Sequence, residues 1–153
     1  MIYTSGGGVT TGRGKRTAGD QAVTNTAGVW TAVDTTTDIT LSAAAGDEIE
    51  IDINLLTSGT SNLDLDVVTV VGGNPLHFVS SDGGAAAAAN GLTGLYFDGT
   101  FRKSTGFDYV VQAGDLTNGQ ITLRLVYRCG VNAGTIYGSA NYPLIWHAVN
   151  FKH

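Results

Sequence analysis

From Ala45 to Leu55 the chain reads Ala-Gly-Asp and then Glu-Ile-Glu-Ile-Asp-Ile-Asn-Leu, an acid or amide alternating without a break with an aliphatic. A period of two places Ile49, Ile51, Ile53 and Leu55 on one face and Glu48, Glu50, Asp52 and Asn54 on the other. A helix, at about 3.6 residues per turn, would spread those isoleucines around the whole cylinder. The segment is therefore predicted to be an antiparallel strand with one buried and one wet face. The same grammar returns later: Ala113-Gly114-Asp115, a short turn, then Ile121-Thr122-Leu123-Arg124-Leu125-Val126-Tyr127-Arg128. Two such units in one small chain predict an all-β, antiparallel two-sheet sandwich of the jelly-roll kind.

The rest of the chain fits that class. Strands are expected at Val29–Val33, Ile39–Ser42, Glu48–Leu56, Leu63–Val71, Leu76–Ser80, Leu95–Phe97, Phe107–Val111, Ile121–Arg128, Thr135–Tyr137 and Leu144–Phe151. Turn dipeptides separate them, such as Ser58-Gly59, Asp98-Gly99 and Asn118-Gly119. The run Gly83 to Gly91, with five consecutive alanines, is too short for an independent helix and is expected to be a surface loop. Charged residues make up only 14% of the chain, so much of its surface is expected to be covered by something else.

Residues 1–27 stand apart as an expected flexible N-terminal arm, with residues 28–153 as the sandwich. Ser5 to Arg16 is rich in Gly and Thr and shows no hydrophobic period, so alone it cannot offset its ordering entropy. Arg13, Lys15 and Arg16 against Asp20 give the arm a formal charge of +2, whereas the remaining 126 residues sum to −7. A basic arm on an acidic body is expected to dock on another acidic surface. Three basic residues are too few for nucleic-acid recognition, and the body would repel phosphates. No secretory leader and no membrane span is expected.

Two stretches are apolar on both faces. In Leu63 to Val71 the alternation gives way to Val67-Val68-Thr69-Val70-Val71. In Leu144 to Phe151, Ile145, Val149 and Phe151 are expected to fill the core, leaving Leu144, Trp146 and Ala148 outward. A monomer rarely leaves such a stripe in water. Val68, Val70, Leu144 and Trp146 are therefore predicted to form the contact of a homo-oligomer.

Catalytic and cofactor signatures are missing. Gly14-Lys15 has Val9 where a phosphate loop needs its first glycine, and Arg16 where it needs Ser or Thr. Tyr137-Gly138-Ser139-Ala140-Asn141 lacks the second glycine of a nucleophile elbow. His77, His147 and His153 have no metal-ligand spacing, and Cys129, the lone cysteine, reads as a small buried hydrophobe. Glu50 and Asp52 on one strand and Asp64 and Asp66 on another would make a calcium site or a glycosidase pair if they converged. The plainer reading is a solvated face that blocks edge pairing. No catalytic residue, metal or cofactor is expected. Phe101, beside Arg102-Lys103, and Tyr142, before Pro143, are the candidate glycan contacts.

The Ala-Gly-Asp turn with its alternating strand (Ala45–Leu55), the second Ala-Gly-Asp (Ala113–Asp115), the strand Leu123–Arg128 and the closing Pro143–Phe151 resemble small virion proteins of tailed bacteriophages. The resemblance covers residues 28–151. It implies a non-enzymatic jelly roll that forms a trimer on the virion, assembled in the host cytoplasm. Its arm would contact the major capsid protein or another virion protein. No stalk is present, which favours capsid decoration over a complete fibre. The alternative is a carbohydrate- or receptor-binding module of a tail or fibre tip.

Overall fold

Ile49, Ile51, Ile53 and Leu55 have no exposed surface in the computed structural model of the chain, while Glu50 and Asp52 lie in solvent. The structure describes residues 8–24, 26, 29–58, 63–73, 75–76, 95–97, 101–129 and 134–153. The expected Ala-rich loop and most of the strand at Leu76–Ser80 lie outside them.

Among the described residues the strands are, in order, β1 (Val9–Ala18), β2 (Gln21–Ala22), β3 (Thr31–Ala32), β4 (Ile39–Ser42), β5 (Glu48–Ser58), β6 (Leu63–Thr69), β7 (Leu95–Phe97), β8 (Phe101–Val110), β9 (Leu116–Thr117), β10 (Gln120–Cys129), β11 (Thr135–Ile136) and β12 (Ser139–Phe151). In the first sheet β8, β5, β12 and β1 lie side by side, all antiparallel, and β11 and β2 continue from the far end of β5. The second sheet centres on β10, which pairs with β3, β4, β6 and β9, and β7 extends it beyond β6. The inner faces meet in one core. Ile49, Ile51, Ile53, Leu144 and Trp146 come from the first sheet, and Leu63, Leu65, Val67, Ile121, Leu123 and Leu125 from the second. Burying each such side chain contributes about 1.5–3 kcal/mol. The two-sheet, all-β architecture is the expected one.

The described part of the predicted arm, from Gly8 on, is not separate, and residues 1–7 lie outside the described residues. From Val9 to Arg16 its residues pair one by one with β12, from Phe151 back to Leu144. Farther on, β2 pairs with β11, Val23 is buried, and the Thr26 amide donates to the Cys129 carbonyl. The physical reason lies in two glycines. Gly14 is buried and faces inward, and a Cβ there would collide with the Trp146 indole and the Thr37 carbonyl. Gly12 likewise lies against Ile39. The inward face of β1 thus does its packing with bare backbone, so its alternation carries no hydrophobic mark.

β12 is turned the other way round from the expected orientation. Trp146 and Ala148 sit opposite Ile53 and Ile51 of β5, and residues directly opposite in an antiparallel pair share a face. Leu144, Trp146 and Ala148 are accordingly fully buried in the core. Ile145, Val149 and Phe151 are half-buried on the outer face, opposite Asn54, Glu50 and Glu48. Val68 is also covered within the chain. Of the four predicted contact residues only Val70 is exposed, at 43%. The apolar stripe that argued for an oligomer is therefore internal.

Candidate functional site

The carboxylates sort into two groups. Those that are buried hold the fold together. Asp47 accepts hydrogen bonds from the Ala44 amide at 2.9 Å, Asn150 Nδ2 at 2.9 Å and the His153 amide at 3.3 Å, tying the turn before β5 to the last strand. Burial raises its pKa, but those donors and the nearby Lys152 outweigh burial and hold the carboxyl below its ordinary value. A depressed folded pKa stabilises the fold above the unfolded value of about 3.9 and ceases to do so as pH falls through the folded one. Asp47→Asn is expected to lower stability near neutrality by about 1–2 kcal/mol. It is also expected to shrink the loss of melting temperature below about pH 4. Thermal melts across that range check both.

Asp64 and Asp66 are buried on β6, in the other sheet from Glu50 and Asp52. The four acids do not converge. Asp64 receives Arg128 at 2.8 Å, and burial still pushes its carboxyl above the usual range. Arg128 in turn lies 4.8 Å from the Trp30 ring. Among the described residues no three His, Cys, Asp or Glu side chains gather as metal ligands.

A cleft of about 300 Å³ opens beside Thr69, Gly72, Leu76, Tyr109 and Asp115. Its polar centre is satisfied from within. Tyr109 donates its hydroxyl to Asp115 at 2.6 Å, and the Gln112 amide donates to the same carboxylate at 2.8 Å. Burial and the Asp115 carboxylate drive the phenol far above its ordinary pKa. Tyr109 thus remains a hydrogen-bond donor and is unsuited to act as a base or nucleophile.

The second group of charges lies on the outer face of the first sheet. The register places Arg13, His147, Asp52 and Gly106 in one row across β1, β12, β5 and β8. Thr11, Val149, Glu50 and Asp108 form the next row, and Val9, Phe151, Glu48 and Val110 the one beyond. Read along the strands, the face has three bands. Arg13 and Lys15 of β1 are basic and exposed, Ile145, Val149 and Phe151 of β12 are apolar and half-buried with the exposed His147 set between Ile145 and Val149, and Glu50, Asp52 and Asp108 of β5 and β8 are acidic and exposed. Strands lie about 4.8 Å apart, so the basic and acidic bands are about 10 Å from each other. Among the described residues none of these five charges forms an ion pair within the chain. A shallow depression of about 440 Å³ lies among Thr11, Arg13, Asp52, His147 and Val149.

The predicted arm residues divide accordingly. Arg13 and Lys15, on the edge strand, have no ion-pair partner among the described residues. Arg16 is not, because it pairs with Asp34 at 2.5 Å and donates Nε to the Gly19 carbonyl at 2.6 Å. Tyr142 is 48% exposed and meets the Tyr137 ring edge-on at 5.7 Å. The Phe101 side chain lies outside the described part. The apolar band of β12 and its place between opposite charges escaped the sequence reading, because they emerge only from the register with β1 and β5. No protein-family model matches the chain, and no curated protein matches it as a relative.

Proposed function

We propose that the chain is a non-enzymatic virion structural protein, of the capsid-decoration type its strands resemble. It acts by laying the outer face of its first sheet against other protein. One observation carries this reading: among the described residues the five charges of this face form no ion pair and are banded around a largely apolar strip, whereas buried Asp47, Asp64 and Asp115 are engaged in holding the fold. Surface charge left unpaired beside half-buried apolar side chains suits association, with the charges steering and the apolar strip supplying affinity. The grip is by a strand edge whose backbone is already ordered on β1, so only the side chains of Arg13 and Lys15 lose freedom when they engage.

Quantitative mass spectrometry of particles purified from the virus that encodes the chain tests the proposal. The expected result is a high-copy virion component that stays with the particles through a density gradient. Absence from purified particles overturns it. The exposed Tyr142, steadied by Tyr137, favours a second reading as a glycan-contacting module of a tail tip. That reading expects few copies per particle and glycan-array binding that Tyr142→Ala reduces at least ten-fold, the loss of a stacking contact worth about 1–2 kcal/mol.

A further inference from the structure

We propose that copies of this chain close into a ring about an axis parallel to β12, the basic edge of each copy meeting the acidic band of the next. The inference rests on the outer face of the first sheet being a contact surface, and it names the occupant of that face as the chain itself.

The argument is geometric. Rotation about an axis parallel to the strands preserves height along them. It carries the β1 side of one copy toward the β5 and β8 side of its neighbour. Arg13 and Asp52 occupy the same row of the sheet, so they arrive at the same height on adjoining copies. Thr11 arrives opposite Glu50, again in one row. The middle band, Ile145, Val149 and Phe151 with His147 among them, is then turned toward the axis and leaves water. At one end Val9 and Val110, both more than half exposed, lie in the row of Phe151 and join the buried strip.

Other occupants fit less well. A partner of one charge sign would satisfy one band and be repelled by the other, since like charges brought together oppose binding. A face that carries both signs in parallel bands is complementary to itself. An axis lying across the strands would set basic on basic and acid on acid. For two copies face to face the area is sufficient. Eight paired residues span about 27 Å, and four strands about 19 Å, or roughly 500 Å² of flat face per copy. Counted on both sides, that reaches the roughly 1,000 Å² at which specific interfaces begin. At this lower bound, assembly is expected to depend on concentration.

Light scattering coupled to size-exclusion chromatography, run on the full chain over a dilution series, tests the proposal. The expected mass is that of a closed ring of two or three copies. Asp52→Arg is expected to weaken association at least ten-fold, and Arg13→Asp combined with Asp52→Arg to restore most of it. Val149→Asp, on the half-buried strip, is expected to give a monomer. Circular dichroism melts confirm that each variant is folded. A wild-type monomer at every concentration overturns the proposal, as does an open series of masses or an oligomer indifferent to Asp52→Arg. A monomeric wild type that nevertheless stays with virions overturns the ring and leaves the virion role standing. A ring absent from virions does the reverse.

Discussion

A chain lacking residues 1–18 is expected to have no cooperative thermal transition. Among the described residues β1 is the strand that pairs with β12 on that side, across register pairs that run from Val9 with Phe151 to Arg16 with Leu144. Removing it strips the backbone partners from β12 and uncovers the Trp146 indole, against which the Gly14 backbone lies. It also removes the Arg16 ion pair with Asp34 and the Thr10 hydrogen bond to the Ser42 carbonyl at 3.2 Å. At about 1 kcal/mol net per lost hydrogen bond, with apolar exposure added, the loss is comparable to the whole stability of a domain, about 5–15 kcal/mol. Circular dichroism and dye binding to exposed apolar surface measure it. A truncated chain that melts cooperatively within a few degrees of the full one would show β1 to be dispensable. Gly14→Val is the milder form of the same experiment: the strand remains, but its new side chain must displace Trp146 or Thr37.

Trp146→Ala is expected to cost about 3–5 kcal/mol, the usual range for a fully buried large aromatic. Its ring stands opposite Ile53 in the middle of β12, and Leu144 and Ala148 flank it on the same inner face. The indole Nε1 makes no hydrogen bond within the described structure, so the side chain contributes through packing. Trp146→Phe is therefore expected to recover most of the loss, since it keeps the apolar volume and sheds only an unused donor. Urea denaturation read by far-ultraviolet dichroism gives both values. Trp30→Ala provides the contrast: that ring is only half-buried and contacts the Arg128 guanidinium, so its loss is expected to cost about 1–2 kcal/mol.

The strands whose two faces differ were legible from residues alone. β5 announces itself through four acids or amides set against four aliphatics, and β10 through Ile121, Leu123 and Leu125 between polar neighbours. β4 and β7 fall where their short apolar runs lie. β1 was hidden because its inner face is made of Gly12 and Gly14: the period of two is present in Gly-Arg-Gly-Lys, but no hydrophobic residue marks it. The orientation of β12 was hidden for the opposite reason. Both of its faces are apolar, and only pairing with β5 decides which of them is dry. The site follows the same division. Arg13 and Lys15 stood out as free basic residues, whereas Arg16 looked equivalent to them until the fold brought Asp34 beside it. The three-band face is a property of register across four strands, and no single segment contains it.

Zero-length coupling of amines to carboxylates in an equal mixture of ¹⁴N- and ¹⁵N-labelled protein tests the central claim, that this banded face is buried against another copy. The account predicts linked peptides joining Lys15 of one isotope to Asp52 of the other, one row away, at protein concentrations where light scattering reports an assembly. Links confined to a single isotope, or Lys15 freely modified with no carboxylate partner from another chain, would contradict it.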